Sequence, residues 1–461
     1  MLAGRAAAQT FTVLHTFTPI SYATNRDGAN PSGDLVLSGN TLYGTAENGG
    51  SAAPRLGSNG TVFRINTDGS GFTILHSFSN SDGANPYYGL ALGGGTLYGT
   101  TLNGGSSSNG TVFRVNTDGS GFTNLHSFTA LLGHINSDGA NPCGTLKLSS
   151  NTLYGTAKIG GSAGSGTVFR LNTDGSGFTV LHAFSATPPP FYTNTDGAFP
   201  DHVILSGDTL CGSTLGGGYT SLGSIFKLKL DGSGFTNLAA SIVGNPGSVD
   251  ILFENTLYGT RVVSPSGSIF KINADGTGHR DLYKFTSTSV DPQSFRQTNT
   301  DGQSPQKLIL SGNTLYGTAT HGGLGGHGTV FRVNTDGTGF TNLHVHSKID
   351  EGCGPNGGLL LSSNTLYGTT GGCGEGSGTV FSLSLLSTIQ PPCLTIIPFG
   401  ESVILTWPTN ALGFGLQSAP TLVSPVGWSA VSPEPVSVNG SNTVLNPNSG
   451  AQQFYRLKQE D

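Results

Sequence analysis

The sequence predicts an all-β fold: a seven-bladed β-propeller closed by its N-terminal strand, followed by a small β-sandwich. A Leu-Tyr-Gly-Thr phrase recurs seven times at steps of 47 to 58 residues, a period typical of four-stranded propeller blades. Of the 461 residues, 73 are glycine and only 10% are charged, which favours short strands and turns over helices. The phrase is centred on Tyr43, Tyr98, Tyr154, Cys211, Tyr258, Tyr316 and Tyr367.

Each repeat reads as four short strands, as residues 89–128 illustrate. An apolar segment at 89–92 precedes the Leu-Tyr-Gly-Thr segment, and Gly-Thr-Val-Phe-Arg-Val follows at 110–115. Asp118 and the glycine after it mark a hairpin turn, and a fourth segment runs from 122 to 128. These four segments correspond to strands a to d of a kelch-like blade.

The N-terminal strand is predicted to close the ring. The third-strand pattern occurs seven times, but the last copy, near Val380, has no fourth strand after it. Residues 11–17 carry the fourth-strand pattern with no strands before them. Pairing the two ends of the repeat region would complete the last blade and remove the open sheet edges that promote aggregation.

Composition changes after the repeats, so we place the propeller at residues 10–386. Residues 387–392 contain two prolines and read as a linker. In residues 393–461, Trp407 ends an alternating strand, which favours a small β-sandwich similar to fibronectin type III modules.

Residues 1–9 are interpreted as the remnant of a secretory signal, since Ala6 to Ala8 fit its small-residue end. A secreted or cell-envelope location follows from this interpretation. The net charge is −6 and no basic patch is present, which argues against nucleic acid as a partner. No apolar run is long enough for a membrane span. A monomer without a cofactor is expected.

The repeat resembles the GloVer tandem-repeat proteins of bacteria over residues 10–385. The phrases that carry the resemblance are Leu-Tyr-Gly-Thr, Gly-Thr-Val-Phe-Arg, Asn-Thr-Asp-Gly and Asp-Gly-Ala-Asn-Pro. The resemblance implies export. It implies no particular activity, so no catalytic residues are carried over.

Carboxylates recur at the start of most repeats, in the loops that lead from one fourth strand to the next first strand. Grouped at one rim, they could bind cations or sugar hydroxyls; the alternative is that each caps its own turn. They are Asp27, Asp82, Asp138, Asp196 and Asp301.

Insertions in the same loops add aromatic and basic side chains that could stack on or hydrogen-bond a ligand, although loop drift is the simpler explanation. The candidates are Tyr87, Tyr88, His134, Phe191, Tyr192, Phe295 and Arg296, joined by His321 and His327 from a second-to-third-strand loop. The last two lack a third ligand in the sequence, so no metal site is assigned. Cys353 and Cys373 lie on the same face of one blade and are predicted to form a disulfide in an exported protein.

The predicted function is that of an exported, non-catalytic protein that binds polysaccharide or an envelope protein through its loop face. A carbohydrate-active enzyme (hydrolase, lyase or oxidase) and a purely structural or adhesive repeat protein are the alternatives. A deep central pocket with unrepeated acids would favour the enzyme, whereas a flat rim of aromatic rings would favour the binding protein.

Overall fold

A computed structural model describes residues 9–19, 25–50, 59–238, 246–262, 266–291, 296–372, 376–385, 394–408, 414–421, 426–438, 441–447 and 453–459. The chain divides into two compact units, Phe11–Ser384 and a second unit that contains Leu385–Asp461. The all-β prediction is confirmed: in the described residues the one helix is a single 3-10 turn at Ile349–Glu351. No helix in this part of the chain is long and apolar enough to cross a membrane.

Seven four-stranded antiparallel sheets lie in the described part of the first unit, and we number them along the chain. Sheet 1 contains β2 (Val36–Ser38), β3 (Thr41–Ala46), β4 (Thr61–Asn66) and β5 (Thr73–Ser77). Sheet 2 contains β6 (Ala91–Gly93), β7 (Thr96–Thr101), β8 (Thr111–Asn116) and β9 (Thr123–Ser127). Sheet 3 contains β10 (Ala140–Ser149), β11 (Thr152–Ile159), β12 (Thr167–Asn172) and β13 (Thr179–Ala183). Sheet 4 contains β14 (Ala198–Ser206), β15 (Thr209–Gly216), β16 (Ser224–Lys229) and β17 (Thr236–Asn237).

The remaining sheets of the unit follow the same order, with one exception at the end. Sheet 5 contains β18 (Pro246–Phe253), β19 (Thr256–Arg261), β20 (Ser268–Asn273) and β21 (Arg280–Lys284). A two-stranded ribbon of β22 (Ser289–Val290) and β23 (Gln297–Thr298) leads to sheet 6, with β24 (Gln303–Ser311), β25 (Thr314–His321), β26 (Thr329–Asn334) and β27 (Thr341–Val345). Sheet 7 contains β28 (Leu360–Ser362), β29 (Thr365–Thr370), β30 (Thr379–Ser384) and, as its fourth strand, β1 (Phe11–Thr16).

Sheet 2 shows how the repeated glycine, phenylalanine and aspartate fit together within one sheet. Gly99 of β7 faces Phe113 of β8, and a Cβ on Gly99 would lie 2.5 Å from the tip of that ring. The glycine therefore makes room for a fully buried phenylalanine within the same sheet. The hairpin after β8 is stabilised by the Asp118 carboxylate, which accepts a hydrogen bond from the Ser120 N–H at 2.8 Å, as in an Asx turn.

Apolar side chains pack neighbouring sheets against one another. Phe113 packs with Tyr43 of sheet 1, whereas Val112, on the other face of β8, packs with Phe169 of sheet 3. The same packing occurs between sheets 7 and 1, where Tyr367 joins the cluster that surrounds Phe63. Further apolar clusters join sheets 3 and 4, sheets 4 and 5, and sheets 5 and 6.

A stacked pair of rings joins the fourth strands of neighbouring sheets. A histidine or tyrosine of one fourth strand stacks on a phenylalanine next to or within the following one, at centroid distances of 3.5 to 3.9 Å. The pairs are His15–Phe72, His76–Phe122, His126–Phe178, His182–Phe235, Tyr283–Phe340 and His344–Phe11. Because these histidines recur at one strand position and pack between sheets, their role is architectural.

The N-terminal strand pairs as the sequence predicts. β1 runs antiparallel to β30, with Phe11 opposite Leu383 and Thr16 opposite Thr379. Phe17, just after β1, is 1% exposed and donates its backbone N–H to the Gly378 carbonyl. The two ends of the repeat region are therefore joined in one sheet.

The C-terminal unit consists of two antiparallel sheets in its described part. One contains β31 (Thr395–Phe399), β32 (Ser402–Pro408), β35 (Val436–Val438) and β36 (Ser441–Pro447); the other contains β33 (Phe414–Ala419), β34 (Ser429–Ala430) and β37 (Phe454–Gln459). Trp407, Leu405 and Val444 of the first sheet pack on Leu416 of the second. The predicted linker at 387–392 and residues 1–8 of the predicted signal remnant at 1–9 lie outside the described residues.

Removal of β1 should destabilise the whole first unit, because β30 would lose its strand partner and His344 would lose the stacked ring of Phe11. We expect deletion of residues 1–17 to lower the melting temperature, measured by differential scanning calorimetry, by at least about 5 °C. Deletion of residues 1–9, which leaves β1 intact, is the matched control. Equal melting temperatures for the two truncations would show that β1 does not hold the unit together.

Candidate functional site: the central cavity and the loop face

Two sets of loops meet at one end of the sheets, which we call the loop face. It consists of the connections from each fourth strand to the next first strand and from each second strand to its third strand. The two sets form backbone bridges, for example between Ala29 and Asn48 and between Ala84 and Asn103. Two cavities open among these loops.

The repeated aspartates turn inward on this face. The Asp138 carboxylate lies 2.9 Å from His126 Nε2 and accepts hydrogen bonds from the backbone and the hydroxyl of Thr129. Equivalent His–Asp contacts bind Asp27, Asp82 and Asp196, and the Tyr283 hydroxyl donates to Asp301 at 2.7 Å. Each carboxylate thus caps its own loop and orients a ring that stacks on the next sheet. This geometry fits turn capping better than a rim of free ligands.

The inserted loops carry exposed apolar side chains. Phe191 and Tyr192 are 75% and 58% exposed, and His134 is exposed as well, whereas Phe295 lies outside the described residues. Of ten exposed large apolar side chains in the described part of this unit, nine lie on the loop face; Phe253 lies at the opposite end. The nine are Leu132, Ile135, Phe191, Tyr192, Tyr219, Leu222, Val262, Val290 and Leu324.

The outer of the two cavities, with a volume of about 440 Å³, brings three predicted residues together. Arg296, His321 and His327 line it beside Glu47 and Cys353. Arg296 Nη1 lies 3.0 Å from His327 Nδ1, and burial together with this guanidinium lowers the pKa of His327. Burial raises the pKa of Glu47.

The predicted partner of Cys353, Cys373, lies outside the described residues. The disulfide between them therefore stays a prediction.

The inner cavity, of about 240 Å³, lies where the first strands of six sheets converge, and we call it the central cavity. Tyr87 and Tyr88 line it, with ring centroids 5.0 Å apart in an edge-to-face arrangement. The two cavities share Ser32 and Asn356. Tyr87 and Tyr88 are thus the two predicted residues that line the central cavity.

An ion pair spans the central cavity. Lys307 Nζ donates to Asp34 Oδ2 at 2.9 Å, and the same oxygen accepts from the Thr145 hydroxyl at 2.9 Å. The Gly358 N–H donates to Asp34 Oδ1 at 2.8 Å. Burial opposes the charge on Asp34, but Lys307 more than offsets it and holds the pKa of that carboxyl well below its usual range. Despite its own burial, the pKa of Lys307 is raised by Asp34.

A buried histidine lies between two further carboxylates. His202, 3% exposed, has Nδ1 2.9 Å from Asp201 and Nε2 3.4 Å from Asp250. Asp250 also accepts from the Leu308 N–H at 3.1 Å and from the Ser248 hydroxyl at 2.9 Å. Burial alone would lower the pKa of His202, but the hydrogen bonds to the two carboxylates raise it to about 9. The ring is therefore protonated at neutral pH.

Charges in and around the central cavity balance. The acids are Asp34, Asp201 and Asp250, and the bases are Lys147, His202 and Lys307. Burial and the nearby Lys307 lower the pKa of Lys147, while Asp34 and Asp250 oppose that shift. A site with equal numbers of acids and bases suits an uncharged polar ligand better than an ion.

The sequence reasoning missed these residues, although a signal was present. One position in or just before each first strand varies among the sheets, with six residue types in seven copies. It is occupied in order by Asp34, Gly89, Thr145, His202, Ser248, Lys307 and Gly358. A position that does not repeat among positions that do is expected where the seven-fold pattern serves a single ligand.

Comparison with protein families gives one match. The Gloeobacter/Verrucomicrobia repeat matches residues 5–189 and 136–302, which together are more than half of the chain. The chain belongs to this repeat family. The family match agrees with the tandem repeats of the sequence and with the serial sheets of the fold. No curated protein matches the chain.

Solved structures similar to this repeat protein have several functions. A puromycin-hydrolysing peptidase of Mycobacterium tuberculosis is 11% identical, with 84% of this chain and 62% of that chain covered and a TM-score of 0.50. An oligogalacturonate lyase of Vibrio parahaemolyticus is 10% identical, with 82% and 97% covered and a TM-score of 0.46. A nidogen/laminin complex matches at 14% identity, 69% and 92% coverage and a TM-score of 0.39. At such identities only the fold is comparable.

The His202 ion pairs should make stability depend on pH in the alkaline range. A folded-state pKa of about 9, above the unfolded value near 6.5, stabilises the protein below pH 6.5, and this contribution is lost as pH rises through 9. We expect the difference in unfolding free energy between the natural protein and His202→Asn to shrink between pH 6 and pH 10, by at most about 3 kcal/mol. Denaturant titrations at both pH values measure it. His134→Asn, at an exposed site, is the control, and a pH-independent difference for His202→Asn would contradict the charged assignment.

Proposed function

We propose that the first unit is a closed, seven-bladed, kelch-like β-propeller. The seven four-stranded sheets, the pairing of β1 with β30 and the cluster that joins Tyr367 to Phe63 support a ring in which every sheet has two neighbours. On this proposal the central cavity lies on the ring axis, because the first strands of propeller blades are the innermost. The C-terminal unit is proposed as a fibronectin type III-like module.

The function that we propose for this propeller is ligand binding without catalysis, in a protein exported to the cell envelope or beyond. The first candidate ligand is a polysaccharide, and an envelope protein is the second. The observation that carries the proposal is the central cavity, where the rings of Tyr87 and Tyr88 adjoin a charge-balanced set of polar groups. Sugars offer an apolar ring face to aromatic side chains and hydroxyls to carboxylates and amides, which matches this lining.

The acids of the central cavity are already engaged. Asp34 is paired with Lys307, and Asp201 and Asp250 flank His202. The pKa values of Asp34 and Asp201 lie below the usual range because, although burial opposes ionisation, Lys307 and His202 favour it. Carboxylates held ionised in this way can accept hydrogen bonds from a ligand but do not donate protons. This supports binding over acid–base catalysis at these positions.

A carbohydrate-active enzyme is the second candidate, and Glu47 favours it. This residue lines the outer cavity, and burial raises the pKa of its carboxyl, as a general acid requires. It also lies close enough to Tyr87 to raise the pKa of that phenol together with burial. The unrepeated acids Asp34 and Asp201 of the adjoining central cavity also favour an enzyme.

Binding should be tested on soluble and insoluble polysaccharides, with depletion of the protein and release of new chain ends measured in the same samples. We expect depletion without release. Tyr87→Ala should weaken binding at least about tenfold, since it removes a ring from the central cavity. Phe191→Ser and Tyr192→Ser should weaken it less, and Phe253→Ser is the matched control at the opposite end of the sheets.

Release of new chain ends would contradict non-catalytic binding and support the carbohydrate-active enzyme. In that case Glu47→Gln should abolish release and leave depletion intact, because the amide cannot supply a proton. If no polysaccharide depletes the protein, sugar is excluded as the ligand over the range tested, and the exposed apolar side chains of the loop face would direct the search to a protein partner.

A further inference from the structure

Sheet 6 departs from the other sheets at one buried position. Two residues after the stacked histidine or tyrosine, five sheets carry a buried phenylalanine, and sheet 6 carries His346. The phenylalanines are Phe17, Phe78, Phe128, Phe184 and Phe285. His346 donates its backbone N–H to Gly328, as each phenylalanine does to the equivalent glycine, so the fold places all six side chains alike.

The His346 ring is 0% exposed, and neither of its nitrogens makes a hydrogen bond of good geometry, although the Glu351 backbone lies beside the ring. It occupies an aromatic site, edge-on to Phe11 and Phe381 at centroid distances of 5.4 and 5.7 Å. A phenylalanine would fill that site without burying polar atoms. A buried imidazole without partners lowers stability unless something binds its nitrogens.

Two further metal-binding side chains lie beside this ring. His344 Nε2 lies 3.5 Å from Glu351 Oε2, and one donor atom from each of His344, His346 and Glu351 lies within 4.8 Å of the other two. The two imidazole rings are perpendicular, with centroids 4.8 Å apart. Ligands about 2.1 Å from a tetrahedral ion are about 3.4 Å apart, so small side-chain shifts would bring the three donors around one ion.

We propose that His344, His346 and Glu351 form a binding site for a divalent transition metal, with Zn²⁺ as the preferred ion. Two imidazoles and a carboxylate are a donor set that Zn²⁺ accepts, and they are poor ligands for Ca²⁺ or Mg²⁺, which prefer oxygen. The side chains of His344 and Glu351 are each 17% exposed, which leaves a route for the ion from solvent.

The site lies where sheet 6 meets sheet 7. His344 stacks on Phe11 of β1 at 3.8 Å, and Glu351 belongs to the 3-10 turn that leads into sheet 7. The Thr379 hydroxyl of β30 donates to the Glu351 carbonyl at 3.1 Å. A bound ion would therefore cross-link β27 to this turn, beside the two strands that join the ends of the repeat region.

The test is titration of the full-length protein with Zn²⁺ after chelator treatment, followed by calorimetry and thermal melting. We expect one Zn²⁺ per chain with a dissociation constant of about 1 μM or lower, and a rise in melting temperature of about 3 °C or more at saturation. Co²⁺ in place of Zn²⁺ should show the intense visible bands of a four-coordinate histidine–carboxylate site.

His346→Phe is the decisive variant, because it restores the residue that five other sheets carry and should therefore fold. It should bind Zn²⁺ at least about 100-fold more weakly, lose the metal-dependent shift, and melt no lower than the metal-free natural protein. Glu351→Gln should weaken binding at least about tenfold. His134→Asn removes an exposed histidine and should leave Zn²⁺ affinity and the metal-dependent rise in melting temperature unchanged. Absence of one-site binding in the natural protein, or unchanged binding in His346→Phe, would overturn the proposal.

Discussion

The structure depends on the requirement that each four-stranded sheet of the first unit be covered on both faces. Val112 and Phe113 are neighbours in one strand, both fully buried, yet they belong to clusters shared with different sheets. No sheet can bury both faces alone, so each repeat is stable only between two others. Stacks such as His126 on Phe178 fix the spacing of the outer strands, and Asp138 holds the histidine in place.

Much of this fold could be predicted because a residue that recurs in every repeat has a structural role. A glycine that recurs opposite a recurring phenylalanine, such as Gly99 opposite Phe113, marks a packing requirement that one copy alone would not disclose. The position of β1 followed from an unpaired pattern at each end of the repeats. The same reasoning, applied to the aspartates, would have assigned Asp138 to the histidine before it rather than to a ligand.

The central cavity was harder to predict because its members are distant in sequence. Asp34 and Lys307 are 273 residues apart and lie together only because the first strands converge. Tyr87 was a candidate because it lies in an inserted loop. Asp201 and His202 were not candidates, because one Asp-His pair within an otherwise apolar strand does not by itself indicate a binding site. His346 was missed because it is a single substitution in the repeat, a histidine where five other sheets carry phenylalanine. In a repeat protein, ligand-binding and metal-binding sites are expected at positions where a residue departs from the repeat pattern.

The pairing of β1 with β30 also constrains the order of folding. Phe11 is synthesised before the strands of sheets 1 to 6, and its partner Leu383 only after them. A contact over this separation adds a large loop-closure entropy, so strand pairing within sheets 1 to 6 should precede it. Until β30 is made, β1 has no partner strand, and its backbone groups are open to other chains. The strand that completes sheet 7 in the finished protein is thus an unpaired edge while the protein is being made.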